Sequence, residues 1–266
     1  MNQFTLPFTL VLAAALSLSA AAETKAERGK RVVDEALAAL GGDRFLSVKD
    51  RVESGRAYSF YREQLSGLAV ARFYTQHLES PPEGQLAQRE RQAFGKDEDS
   101  ALIFANGEGW EVTFRGARAL PEDRLRRYYE STRKNIFYIL QHRLKEPGLI
   151  IESQGSDIVD NQPVEVVDFV DSNNDIVTVY FHHSTKLPVK QMFYRRDPQT
   201  KERFEEVTFF SKYRDVGGSQ WPFTVLRERD GDKIYQMFAE GVEVNTGLTD
   251  DLFAIGAKMP ILKPKR

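Results

Sequence analysis

The chain has 266 residues, 41% of them hydrophobic and 11% aromatic, which is enough to bury one sizeable core without division into domains. Its 37 basic and 39 acidic residues leave a net charge of −2; with both signs spread along the chain there is no field to concentrate nucleic acid or an anionic bilayer, and nucleic acid is excluded as a partner. The absence of cysteine rules out a disulfide framework and lipid attachment through a thiol.

Residues 1–22 carry no charge, run apolar from Leu6 to Leu18 and end in the small-residue tripeptide Ala20-Ala21-Ala22. The run is too short to span a bilayer and matches a signal peptide cleaved near Ala22, although no Lys or Arg precedes it. The expectation is a periplasmic protein whose mature part, 23–266, is a single domain.

Residues 24–40 predict a helix with Val33, Ala36, Leu37 and Leu40 on one face, ended by Gly41-Gly42. A turn through Phe45, Leu46 and Val48 leads to a strand over 52–61 and, across Leu65-Ser66-Gly67, a second over 68–78. Both strands carry bulky residues on either parity, among them Tyr58 and Tyr61, Phe73 and Tyr74, so both faces of the sheet need cover. Two more polar strands, 85–94 and 100–106, follow Pro81-Pro82-Glu83-Gly84, and Asn106-Gly107-Glu108-Gly109 opens a fifth over 110–114.

The clearest helix is 121–143. Pro121 suits its first position, Glu122 and Asp123 its positive end, His142 and Arg143 its negative end, and Pro147-Gly148 stops it. Its apolar stripe, which includes Leu125, Tyr128, Ile136, Ile139 and Leu140 with Phe137 beside it, predicts a cover over an apolar surface. From residue 149 onward only strands are predicted: 149–152, 164–170, 176–182, 187–194, then an antiparallel meander between 202 and 245 with turns at Gly217-Gly218 and Asp230-Gly231. The total is about twelve strands and two principal helices.

No catalytic or metal constellation emerges. His182 and His183 are adjacent on a strand and point to opposite faces. Asp171, Asn173 and Asp175 begin like a calcium loop, but Ile176 and His182 occupy the positions that need glycine and glutamate. Ser131-Thr132-Arg133-Lys134 has Ser-x-x-Lys spacing in mid-helix without the accompanying Lys-Thr-Gly. The expectation is a non-enzymatic protein with no cofactor and no metal. What remains is a surplus of aromatic and aliphatic residues on a long sheet with few helices to cover it, the setting for a concave hydrophobic ligand site. The candidate ligand-binding residues are Tyr58, Tyr74, Trp110, Phe114, Ile136, Phe137, Leu140, Phe181, Met192 and Phe209.

Leu40-Gly41-Gly42 with Val48-Lys49, Asn106-Gly107-Glu108-Gly109-Trp110, Leu187-Pro188-Val189-Lys190, Tyr213 to Gly218 with Trp221-Pro222, and Val244-Asn245 before Leu252-Phe253 together resemble the LolA-like family of periplasmic lipoprotein carriers and its RseB-like relatives. The resemblance spans the mature chain through order and spacing. It implies a mainly β, α+β fold: a strongly curved antiparallel sheet forming a half-open barrel, with helices over a concave face that binds acyl chains. It also implies lipid or an acylated lipoprotein as ligand, with inner- or outer-membrane lipoprotein-trafficking proteins as partners. No motif fixes the arginine that latches the lid of true carriers; Arg56 and Arg72 are its candidates here. The alternative function is an envelope regulatory module that docks a partner protein.

Overall fold

The computed structural model describes residues 22–197 and 199–263; of the expected signal segment, only Ala22 falls among the described residues. Helix α1, Lys25–Leu40, starts at Thr24, whose hydroxyl accepts from the Glu27 amide while the Glu27 carboxylate accepts from the Thr24 amide. This reciprocal cap satisfies two otherwise orphaned donors. The helix ends where Gly41 takes φ 121°. Gly29 lets α1 lie close on the sheet, because a Cβ there would sit 2.9 Å from the Ser153 amide nitrogen. A one-turn helix, α2 (Asp43–Leu46), follows and buries Phe45.

Among the described residues, thirteen strands form one antiparallel sheet. They are β1 Asp50–Tyr61, β2 Gln64–His77, β3 Gln88–Phe94, β4 Ser100–Ala105, β5 Glu108–Thr113, β6 Gly116–Ala119, β7 Ile150–Val159, β8 Gln162–Val170, β9 Ile176–His182, β10 Pro188–Arg196, β11 Arg203–Val216, β12 Ser219–Arg229 and β13 Asp232–Val244. The spatial order is β6-β5-β4-β3-β2-β1-β13-β12-β11-β10-β9-β8-β7. Two meanders thus meet where β1 pairs with β13, and the chain between β6 and β7 must travel from one outer edge of the sheet to the other. That connection carries α3 (Glu122–Arg133), α4 (Ile136–Tyr138) and a π-helical turn at Ile139–Arg143.

The connection also reports the curvature. Tyr128 of α3 stacks on Phe104 of β4 at 3.6 Å between ring centroids, and Ser131, one helical turn on, accepts from Arg195 of β10 at 2.7 Å. Seven strand-to-strand steps separate β4 from β10, about 34 Å in a flat sheet, whereas residues three apart on a helix lie only about 5 Å apart. The sheet is therefore curled around α3 and α4 but not closed, since β6 and β7 remain unpaired with each other. The expected half-open barrel with helices over its concave face is what the structure shows.

The main core lies between the concave face of the β7–β13 arm and the helices, with Val32, Val33, Ala36, Leu40 and Phe45 packed with Ile136, Leu140, Phe169, Phe181 and Trp221. A second, smaller core lies on the convex side of the other arm. There Ala93, Ala101, Ile103 and Val112 are packed by Ile255 and Met259 of the C-terminal segment, which follows a 3-10 turn at Asp250–Phe253 and bridges Ala117 through Ile261. Covering both faces explains the bulky residues on either strand parity.

Three local expectations need correction. The first hairpin turns at Arg62-Glu63, with φ 49° and 60°, not at residues 65–67; positive φ without Gly or Asn leaves no mark in the sequence. The helix foreseen over 121–143 is broken at Asn135, which is extended (ψ 130°) and caps a new helix by accepting from the Phe137 amide at 2.9 Å. The thirteenth strand, β6, was not expected, because Gly116-Ala117-Arg118-Ala119 lacks β-branched or aromatic residues.

Candidate functional site

Side chains alternate across a strand, so the concave face is set by parity together with the β-bulges that shift it. Glu53 pairs with Phe73, Arg72 with Ala93, Glu90 with Phe104 and Gln92 with Leu102. Phe73, Thr75 and His77 of β2 consequently face inward with Glu90, Gln92 and Phe94 of β3. On β13 the inward residues are Tyr235 and Met237, on β12 Val225, Arg227 and Arg229, and on β11 Glu206, Thr208 and Phe210. Between these and the helices lies a cavity of about 490 Å³, a size typical of small-molecule sites. Tyr128, Ser131 and Thr132 of α3 and Phe137 and Tyr138 of α4 form its roof.

One wall is aromatic. Phe137 meets Phe210 edge-on at 5.2 Å and lies 5.6 Å from Trp221, which in turn contacts Phe45 at 5.4 Å. Phe73 and Phe94 form a second edge-on pair at 6.0 Å. Among these apolar rings sit polar groups in unusual states. Glu53 is largely buried, and burial pushes its carboxyl above the usual range despite Arg51 at 3.9 Å. The Tyr128 hydroxyl donates to Glu90 at 3.0 Å, and burial holds its phenol well above the ordinary value. His77 Nδ1 and His142 Nε2 are 2.9 Å apart, and burial pushes both imidazoles down, to about 3 and about 4. Two neutral rings sharing one hydrogen bond therefore pin the π-helical turn to β2.

Of the ten sequence candidates, the structure brings only Phe137 to the cavity wall. Ile136, Leu140 and Phe181 are buried in the main core beside it. Tyr74 and Trp110 lie on the convex side against the second core, with the Tyr74 hydroxyl donating to Glu98 at 2.6 Å and the Trp110 indole to Glu108 at 3.0 Å. Tyr58 also faces outward, edge-on to Phe238 at 5.7 Å. Met192 and Phe209 are out of phase with the inward residues Arg195 and Phe210; Met192 touches the Tyr180 hydroxyl and Phe209 lies near Lys190. Phe114 is 84% exposed in the turn between β5 and β6. Parity was the missing information: bulges at Ser54/Gly55 and Arg227/Glu228 decide which of two adjacent bulky residues turns inward. The polar part of the lining, Arg195, Arg227 and Arg229 above all, carried no sequence signal, because arginines on strands read as solvent-facing.

The sequence clusters weighed for chemistry have structural partners. Asp171 accepts from the amides of Asn173 and Asp175 and from Arg143 at 3.1 Å, so its carboxylate holds a turn and a buried arginine. Arg56 pairs with Glu240 and Arg72 with Glu98, both at 3.1 Å and both away from the cavity wall.

No family model and no curated protein matches the sequence. Solved structures do. A candidate outer membrane lipoprotein-sorting protein domain from Vibrio parahaemolyticus superposes with a TM-score of 0.57 at 13% identity, covering 86% of this chain and 97% of that one. A DUF1329 family protein from Desulfovibrio piger gives 0.57 at 13% identity, over 85% and 96% of the two chains. A LolA superfamily protein from Nitrosomonas europaea gives 0.48 at 10% identity, over 85% and 97%. At these identities the likeness to the lipoprotein-sorting protein domain and the DUF1329 family protein is one of fold alone.

Proposed function

We propose that the mature chain is a non-enzymatic binder of an acyl chain or a similar hydrophobic ligand in the bacterial envelope, with carriage of lipids or lipoproteins as its role. The observation that carries this reading is the cavity of about 490 Å³ roofed by α3 and α4 and walled by Phe73, Phe94, Phe104, Phe137, Phe210 and Met237. Each methylene withdrawn from water into such a wall contributes about 0.8 kcal/mol. A roof held to the two arms by side-chain contacts such as Tyr128 on Phe104 and Ser131 on Arg195 can move to admit a chain without unfolding the sheet.

The test is native mass spectrometry of protein purified from a bacterial envelope, followed by titration with a fluorescent acyl probe. A co-purifying lipid and probe binding weakened by Phe73→Glu or Phe94→Glu are expected. Both rings are half-buried on the wall, so these variants should stay folded by circular dichroism. Failure of the folded wild type to bind any acyl probe refutes the reading. A second reading, a module that docks a partner protein, is favoured by the β1–β2 hairpin, which exposes Tyr61, Leu65, Leu68 and Val70. A stoichiometric protein in the same mass spectrum supports it.

A further inference from the structure

The cavity is not uniformly apolar. Arg195, Arg227 and Arg229 project into it from β10 and β12, and Arg124 and Arg127 border it from α3. Most of the carboxylates nearby are already committed. Asp123 pairs with Arg127, Glu130 lies 3.7 Å from Arg195, and one oxygen of Glu206 is shared between Arg229 at 3.0 Å and Arg195 at 3.6 Å. Arg227, register partner of Thr208 and Tyr235, and Arg124 have no carboxylate partner among the described residues. Arg195 is only 7% exposed, yet its Nε and that of Arg229 are buried without a hydrogen-bond acceptor among the described residues. Desolvation and the neighbouring Arg229 and Arg227 charges both work against the Arg195 cation, and Glu206 with Glu130 compensates in part.

Three neighbouring guanidiniums, two of them sharing Glu206 and the third without a carboxylate partner among the described residues, are an unfavourable arrangement for an apolar chain alone. Such a chain would strip their remaining water and return no acceptor. An anionic oxygen reverses the balance, because planar guanidiniums bind carboxylate, sulfate and phosphate oxygens through charge-assisted, paired hydrogen bonds. Across the cavity, Phe73, Phe94, Leu102 and Phe104 of β2–β4 offer apolar surface, and the Glu90 carboxylate between them is engaged by the Tyr128 hydroxyl and the Gln92 amide.

We infer that the cavity takes an anionic amphiphile, its tail along the β2–β4 wall and its carboxylate, sulfate or phosphate head held by Arg227 with Arg195 and Arg229. The inference rests on the hydrophobic-binder reading and assigns that ligand its head group.

The experiment compares purified mature protein with 1-palmitoyl-lysophosphatidic acid, with 1-monopalmitoylglycerol and with inorganic phosphate, all below micellar concentrations, by isothermal titration calorimetry. Wild type should bind the lysophosphatidate about tenfold or more tighter than the uncharged glyceride, with phosphate alone far weaker. Arg227→Gln should remove most of that preference while leaving glyceride affinity and the melting temperature in place. The preference should also shrink as salt is raised. Equal affinity for the two amphiphiles, or a preference untouched by Arg227→Gln, overturns the head-group assignment and leaves the hydrophobic-binder reading standing. Phosphate binding as tightly as the lysophosphatidate overturns the amphiphile in favour of a free anion. Binding of neither amphiphile overturns both readings.

Discussion

Lowering the pH from 7.5 to 5 should destabilise this protein through one contact, the His77–His142 pair. The two ring nitrogens lie 2.9 Å apart and the rings 5.0 Å apart, so one neutral imidazole donates to the other and a proton on both is incompatible with the contact. Burial holds His77 down at about 3 and His142 at about 4; the His142 and Arg51 charges push His77 the same way, and only Asp50 opposes them. In the unfolded chain each ring takes up a proton near pH 6.5. The stability tied to the neutral pair is therefore fully present above about 6.5 and is lost as pH falls toward the folded values, because the unfolded state binds more protons in that window. Over the ~1.5 units from 6.5 to 5, at ~1.36 kcal/mol per unit, each ring contributes up to ~2 kcal/mol, and residual solvent access brings the pair to ~2–4 kcal/mol. Urea denaturation followed by tryptophan fluorescence at pH 7.5, 6 and 5 reads this loss directly. Glu146, held low by its hydrogen bond to Arg143, and Asp50, where hydrogen bonds outweigh the upward push of burial, lose their contribution only at lower pH; Glu53, whose carboxyl burial raises, takes up its proton first in the folded state and opposes the loss, equally in wild type and in a His142 variant. The His142→Gln variant should show about half the wild-type loss. A stability profile flat from 7.5 to 5, or an identical loss in wild type and His142→Gln, refutes the reasoning.

Trp221 is 1% exposed at the centre of the aromatic wall, so Trp221→Ala should cost about 3–5 kcal/mol in chemical denaturation; a loss under about 1 kcal/mol would place the core elsewhere. The Asp50 carboxylate accepts from the Thr246 amide and hydroxyl and from the Gly247 and Leu248 amides. Asp50→Ala should therefore destabilise by about 1–3 kcal/mol and raise amide exchange at 246–248, and unchanged exchange there would contradict the anchor. Ile136 is fully buried and its amide donates to Gln191 at 2.8 Å, so Ile136→Glu should fail to fold, seen as lost near-ultraviolet circular dichroism, whereas Phe94→Glu folds and loses only acyl-probe binding. Intact-mass measurement of protein recovered from the envelope should show residues 1–22 removed, and a retained Met1 would contradict export by that segment.

Strand parity separates what was legible from what was not. Helix α1, the turns at Asp160-Asn161, Gly217-Gly218 and Asp230-Gly231, and strand β9 at Ile176–His182 follow from local chemistry: a capping threonine, glycine or asparagine at positive φ, and β-branched alternation. The half-open barrel was legible because the order of turns and strands along a meander is written in local chemistry. The site was not. Tyr74 and Phe73 are equally plausible cavity residues in one dimension, and only the register, Glu53 with Phe73 and Phe73 with Gln92, turns Phe73 inward and leaves Tyr74 under the C-terminal segment. Arg195, Arg227 and Arg229 read as surface charge until curvature folds their strands beneath α3. The sequence by itself determined most of the elements and their order, because those depend on neighbours a few residues apart. The cavity, its cationic end and the histidine pair between residues 77 and 142 were decided by tertiary structure, because they depend on register and curvature summed across many strands.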